Sequence, residues 1–456
     1  MARVAGVDSS TQSVKIVVRD SESGALLAQA SRPHPDGTEV DPQHWLDALH
    51  AVIAEIGGLQ SLAAISIGGQ QHGMVILDSS GEVIRPALLW NDTRSAAQAA
   101  AINAAFPDIH QRTGSQLVAS FTASKVRWVL ENEPDNAARI AAIALPHDWL
   151  SWKLSGSTEI KDIFTDRSDA SGTGYFDPIS NSYISEIVEW ISGKKNVTLP
   201  RIVAPSEVGA RVGETIIACG AGDNAGAALG IGAVVGDLVI SLGTSGTAFA
   251  VSSSPSHDQS GEVAGFADAA GNFLPLACTL NAAKVFDATA KLLGVSFEEY
   301  SQLALQASPG ADGLMMAPHF DGERTPNRPD AQGAISGITH ANFTSANVAR
   351  ASIEGVIAGL AYATQALRKE GVEISRLLLV GGAARNKAVQ QITSEIFGLP
   401  VHIPTPGEYV SEGAAIQAAW ALHQSQPHWS SAAMSQLEAE PQPAVLARYL
   451  TELSAI

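Results

Sequence analysis

Cysteine is nearly absent: Cys219 and Cys278 are the only two in 456 residues. That scarcity excludes a disulfide framework and favours a reducing compartment. Charge is scarce as well, at 16% of the chain, where soluble domains usually carry about 25%. With 45% of residues hydrophobic, disorder is excluded and a large interior is expected. Positive charge is the rarer sign, 28 Lys and Arg against 46 Asp and Glu, for a net charge of −18. No basic stripe offsets this, so neither nucleic acid nor an anionic membrane is an expected partner. The most apolar window, residues 215–236, is interrupted by Asp223 and Asn224 and is too glycine-rich to span a bilayer. Asp8 arrives before any signal-peptide core could form, so a cytoplasmic protein is expected.

Several chemical signatures are missing too. The one Gly-Lys pair, Gly193-Lys194, lacks the upstream glycine of a P-loop. Neither Gly220-Ala221-Gly222 nor Gly230-Ile231-Gly232 is followed by the third glycine of a dinucleotide fingerprint. Histidine and cysteine lack metal-ligand spacing, and there is no G-x-S-x-G elbow. What remains is a set of glycine- and hydroxyl-rich turns, each placed after a strand.

The first eighty residues read as β-β-β-α-β. Arg3–Asp8 and Val14–Asp20 flank the polar turn Ser9-Ser10-Thr11-Gln12 as a hairpin, and Leu26–Ser31 is a third strand. Asp41 and Pro42 start a helix that Gly57-Gly58 ends, with Trp45, Leu46, Leu49, Val52, Ile53 and Ile56 on one face. Leu62–Ile67 and Met74–Asp78 follow as strands around Gly68–Gly73. A second opening of the same kind comes later: Leu238–Leu242, the turn Gly243–Gly246, then Thr247–Ser252. Phe273–Cys278, a helix over Ala283–Leu293, a strand Arg376–Val380 and a helix over Asn386–Phe397 complete it. The expectation is a duplicated α/β architecture, residues 1–213 and 214–456, joined at the irregular stretch Leu199–Gly213. Gln424–Pro443 reads as a surface segment.

Each turn admits a plain reading and a chemical one. Val7-Asp8-Ser9-Ser10-Thr11 is an ordinary hairpin, or an anion-binding concavity with a carboxylate at its root for a divalent cation. Leu242-Gly243-Thr244-Ser245-Gly246-Thr247 lacks the carboxylate and offers only hydrogen bonds to a phosphate. Asp223, after Thr215–Cys219, is a helix N-cap, or a base for a substrate hydroxyl. A helix N-terminus would hold its pKa down and make it a weak base, tolerable where the transition state is loose. Gly381-Gly382-Ala383-Ala384 is close helix–strand packing, or the approach of a flat base. Gln70-Gln71-His72-Gly73 is a turn with a surface histidine, or a grip for several hydroxyls; Trp90-Asn91-Asp92-Thr93-Arg94 is a strand end with a capped helix after it, or part of a sugar site.

In this order the stretches resemble the FGGY family of carbohydrate kinases, and within it the branch acting on D-xylulose. Carrying the resemblance are Gly6–Thr11, Gly69–Gly73, Leu89–Arg94, Leu145–Leu150, Asp169–Thr173, Gly222–Asn224, Ser241–Gly246 and Gly322–Pro326. The third glycine of the family's adenine loop is here Ala383, and position 71, often Met, is Gln. The resemblance implies two actin-like (ribonuclease H-like) ATPase domains with a deep cleft, the first on the sugar side and the second on the nucleotide side with the catalytic Asp. It implies ATP, Mg²⁺ and a small ketose or polyol. Asp223 takes the role of general base on the terminal hydroxyl, with Asp8 and Asp223 near the metal. Thr11, Thr244 and Ser245 become phosphate contacts, Gly381, Gly382 and Asn386 the adenine side, and Gln71, His72, Asn224 and Trp90 sugar contacts. Kinases for ribulose, a hexulose or a sugar alcohol are the near alternative, and an actin-like nucleotide-binding protein the distant one. A homodimer is compatible with all of these, and the sequence leaves it open.

Overall fold

The computed structural model describes residues 2–429 and 433–455. Its chain forms two compact units. The first holds residues 1–233, 265–274 and 407–431; the second holds 234–264, 275–406 and 432–456.

In the first unit the expected hairpin forms between Arg3–Ser9 and Ser13–Asp20, and Leu26–Pro33 extends it antiparallel. Ala64–Gly69 joins the other side of Arg3–Ser9 in parallel. Thr215–Ile217 and Ala221–Gly222 then pair parallel with Ala64–Gly69. Alternation along the first strand sends Ala5 and Val7 to one face, where they pack with the helix Pro42–Glu55 and with Trp149 and Trp152. That helix starts where the sequence places it, because the Asp41 carboxylate accepts from the Gln43 N–H at 2.9 Å and Pro42 lacks a donor there. Val4, Ala64, Ile216 and Ala218 face the opposite way, against Ala418, Ala419 and Ala421 of the helix Tyr409–His423.

The second unit repeats the pattern. Asp237–Leu242 and Gly246–Ala250 form the hairpin, Phe273–Thr279 extends it antiparallel, and Arg376–Val380 and Val401–Pro404 add parallel on the far side. Strand order and direction therefore match between the units, as duplication requires. The helix Ser345–Lys369, capped by Thr344 on the Asn347 N–H, runs through the core of this unit. It was not legible as an amphipathic stripe, since it is buried on nearly every side.

Two expectations change. The joint placed before residue 214 lies inside the first unit, because Thr215–Ile217 and Ala221–Gly222 are strands of the first sheet; Asp223 belongs to that unit. Leu199–Gly213 is not without structure, since Arg201–Ile202 pairs with Phe164–Thr165 and Ala210–Val212 forms an edge strand. Met74–Asp78 contributes its expected strand as Val75–Leu77, which pairs with Ala142–Ala144. Within Gln424–Pro443, Met434–Leu437 is a strand, and residues 430–432 lie outside the described residues. Both cysteines are unpaired. No helix among the described residues is long and apolar enough to cross a membrane.

Candidate active site

Parallel pairing brings the acidic residues of the first unit together. Asp8 and Ala221 both pair with Gly68, from opposite sides of the Ala64–Gly69 strand, and Ser9 and Gly222 both pair with Gly69. Asp223 follows at once as the first residue of the helix Asp223–Gly230, with Gly222 at the N-cap. Two carboxylates thus stand at the carboxyl ends of flanking strands, where ligands of open α/β sheets gather.

Their environment raises both pKa values. Burial lifts Asp8 to about 7, with Glu408 adding and Lys15, its cross-strand neighbour, opposing. Burial also lifts Asp223 to about 7, and the charge of Asp8 adds to it. The expectation that a helix N-terminus would leave Asp223 a weak base is therefore corrected: enclosure and a second carboxylate outweigh the helix end. Asp223 Oδ1 accepts from the Asn224 backbone N–H at 2.8 Å and from Asn224 Nδ2 at 2.9 Å. The carboxylate is thereby oriented.

Of the side chains expected to grip a sugar, Asn224 and Gln71 lie beside it. Asn224 Nδ2 reaches Gln71 Oε1 at 3.3 Å, and Gln71 Nε2 donates to the Ser168 carbonyl at 3.5 Å. Gln71 lies flat over Gly222; a Cβ there would sit 2.7 Å from its Nε2, so only glycine admits this contact. His72 has φ 68°, and its Nδ1 lies 2.6 Å from the Gly172 carbonyl. Its ring rests beside Phe121 and Phe266, centroids 4.9 and 5.5 Å away. Trp90, 40% exposed, donates from Nε1 to Thr11 Oγ1 at 2.9 Å, while Thr11 donates to Gln70 Oε1 at 3.4 Å. Thr11 and Trp90, given separate roles by the sequence, form one hydrogen-bonded pair.

In the second unit Gly243, Thr244 and Ser245 form a tight turn with Gly243 N–H donating to the Ser245 carbonyl at 3.1 Å. The carbonyls of Gly243 and Thr244 accept from Ala283 and Ala282, which leaves the turn's outer side open. Gly381 sits against this strand end: with φ 96°, a Cβ would lie 2.5 Å from the Leu242 carbonyl oxygen. At Gly382 a Cβ would meet nothing within 4 Å, whereas the Ala383 side chain is buried and leaves that open face clear. Asn386 does not join these turns with its carboxamide oxygen, which caps the next helix on Val389 N–H and accepts from Ser301.

Sequence reasoning missed Ser168, His147 and Glu408 as neighbours of this site. Ser168 Oγ accepts from Gly222 N–H at 3.1 Å, and His147 Nδ1 lies 2.6 Å from Asp169 Oδ2. His147 lies within the stretch Leu145–Leu150 and Ser168 immediately precedes Asp169–Thr173, stretches to which no role had been attached, whereas no singled-out stretch contains Glu408.

Two similar sheets, one ending in the hydroxyl-rich turn Ser9–Gln12 beside a raised carboxylate pair and the other in the turn Gly243–Gly246, define a phosphotransfer scaffold. Residues 3–231 match the N-terminal domain of the FGGY family of carbohydrate kinases and residues 238–422 match its C-terminal domain; the chain belongs to that family. It is 43% identical to the xylulose kinase of Streptomyces coelicolor, over 92% of this chain and 88% of that protein. It is 42% identical to the xylulose kinase of Streptomyces rubiginosus, over 96% and 92%. The crystal structure of xylulose kinase from Bifidobacterium adolescentis is similar at a TM-score of 0.93, with 42% identity and 99% of both chains covered. The fold is the two-domain FGGY kinase fold, of the actin-like ATPase type.

Proposed function

We propose that this protein transfers the γ-phosphoryl group of ATP to the terminal hydroxyl of D-xylulose, giving ADP and D-xylulose 5-phosphate. The observation that carries the reading is Asp223, a carboxylate lifted to about 7 and oriented by Asn224 beside Gln71. A group with that pKa accepts a proton from an alcohol as phosphorus–oxygen bonding develops, and a binding protein without chemistry has no use for it. Asn224 holds Oδ1, so Oδ2 faces the acceptor hydroxyl. Gln71, His72 and Trp90 hold the rest of the sugar. Thr11, Thr244 and Ser245 take the β- and γ-phosphates, and Gly381 and Gly382 the adenine side. The unpaired cysteines and the acidic surface fit a cytoplasmic enzyme.

Mg²⁺ fits the residues present. Asp8 Oδ1 is buried without a hydrogen-bond partner, an arrangement that favours a cation, and hard oxygen donors are what Mg²⁺ takes. Asp8 and Asp223 would hold it, where it neutralises phosphate charge. Asp8→Asn is expected to raise the half-activating Mg²⁺ concentration about tenfold, since one of two carboxylates is lost. It should leave the melting temperature unchanged or higher, because a buried charge is removed. An unchanged Mg²⁺ titration counts against this role.

Gly382→Ala gives a second check, on the nucleotide side. The added methyl meets no protein atom within 4 Å, so the melting temperature should stay within a degree of the parent's. The KM for ATP should rise about tenfold, as a methyl group holds off a flat base by more than an ångström. A parental KM would remove Gly382 from the adenine side.

The function itself is tested by ADP release with Mg-ATP and D-xylulose, L-xylulose, D-ribulose, L-ribulose, D-fructose, glycerol, xylitol and D-gluconate. D-xylulose should show the highest kcat/KM. A different winner keeps the kinase and overturns the substrate.

A further inference from the structure

Beneath the acceptor side lies a charged cluster to which the phosphotransfer reading gives no part. His147 is fully buried in the helix Pro146–Ser155, with Asp169 Oδ2 at 2.6 Å from Nδ1 and Asp148 Oδ1 at 3.4 Å from Nε2. Asp166 is buried beside them and caps the turn Arg167–Ala170, its carboxylate accepting from the N–H groups of Ser168 and Asp169 at 2.8 and 3.0 Å. Three acids in an apolar interior need a cation. Burial alone would suppress the imidazolium, but Asp148 and Asp169 outweigh it and raise the pKa of His147 to about 10. Metal-ligating types meet here, and the ring edge packs against Gly220, where with φ 83° a Cβ would lie 2.6 Å from Nε2. The proton on His147 is itself the counter-ion.

The placement of this cation is what matters. The helical turn it anchors through Asp169 carries Ser168, and Ser168 touches the acceptor side twice. Its hydroxyl accepts from Gly222 N–H, one residue before Asp223, and its carbonyl accepts from Gln71. Asn224 closes the circuit between Gln71 and Asp223. His147 also packs directly under both chain segments, since a Cβ on Gly69 would lie 2.8 Å from its Cβ and Gly220 faces its ring.

We propose that His147 is a positioning residue for the acceptor sugar: ion-paired with Asp169, it fixes Ser168, and Ser168 in turn sets the spacing between Gln71 and the Asp223 base. The inference rests on the kinase reading above, and it concerns the acceptor and not the nucleotide. Loss of the anchor lets the Ser168 turn shift, and a misplacement of about 1 Å at a reacting group can reduce turnover a hundredfold.

The test compares His147→Gln and Ser168→Ala in steady-state kinetics, with sugar and ATP varied separately and melting temperatures recorded. His147→Gln should raise the KM for D-xylulose about tenfold and lower kcat at least tenfold, with the KM for ATP within twofold of the parent's. Ser168→Ala leaves the ion pairs intact and should raise the sugar KM about fivefold with the melting temperature within two degrees. A purely structural role predicts otherwise: the folded fraction and kcat fall together while both KM values hold. That result, or a parental sugar KM in Ser168→Ala, overturns the proposal. If the parent prefers another acceptor, only the substrate assignment fails, and the same split is read on that acceptor.

Discussion

Asp223→Asn is expected to reduce kcat by about 10³–10⁴-fold while the protein stays folded and still binds ATP. General-base catalysis supplies rate factors of roughly that size. In activation terms the loss is about 4–5.5 kcal/mol. Asparagine keeps the volume of the side chain and can still meet Asn224, but it cannot take a proton. Removing a buried carboxylate from beside Asp8 also relieves like-charge repulsion, so the melting temperature should rise slightly or hold. A fall in kcat with a stable fold is therefore a signature of chemistry. Quench-flow or coupled assay of ADP release, beside ATP titration by calorimetry, measures both halves. Turnover within tenfold of the parent's would remove Asp223 from the base position and, with it, the observation on which the proposed function stands.

That residue also shows where reading the chain was sufficient and where it was not. Its position after a strand and at a helix start was legible from Gly220-Ala221-Gly222 and the small residues beyond. Its electrostatics were not. The sequence shows a helix N-terminus next to Asp223, which lowers a pKa, but not the parallel register that sets Asp8 across Gly68, which raises it. Local features such as the Arg3–Ser9/Ser13–Asp20 hairpin, or Asp41 and Pro42 opening a helix, depend on neighbours within a few residues, so they were readable. The unit boundary was not, because it depends on which sheet Thr215–Ile217 joins, and its partner lies some 150 residues earlier.

The helix Tyr409–His423 is the sharpest case. It shows no apolar stripe, because one side packs on the first sheet and another on the helix that carries Asp223. Composition along the chain gives no hint that residues 407–431 return to the first unit. Only small residues fit such a double contact. Gly6 admits the helix to the first strand: a Cβ there would lie 2.9 Å from the Ala414 carbonyl carbon and overlap Ser411 and Ala415 more closely. Gly230 and Gly413 do the same between the two helices.

From that packing comes the largest stability effect expected, at a position remote from any ligand. A Cβ on Gly413 would lie 2.8 Å from the Gly226 carbonyl carbon and 3.0 Å from the Gly230 nitrogen, and it would overlap the Gly226 carbonyl oxygen. These are backbone atoms on both sides, so no rotamer can yield; the helices must separate. Overpacking of this kind costs about 1–3 kcal/mol and occasionally more. Gly413→Ala, with rigid backbone opposing it, should sit at the upper end. For a unit of this size about 3 kcal/mol corresponds to a fall in melting temperature on the order of 10 °C. The separation moves Asp223–Gly230 as a body, so kcat should fall about tenfold or more even at temperatures where the variant is fully folded, while the KM for ATP holds. Gly382→Ala, the same chemical change at an open position, is the matched control for stability. Equal melting temperatures for the two variants would show that the helix pair tolerates a methyl group, and that Asp223 is held by its strand and not by the returning helix.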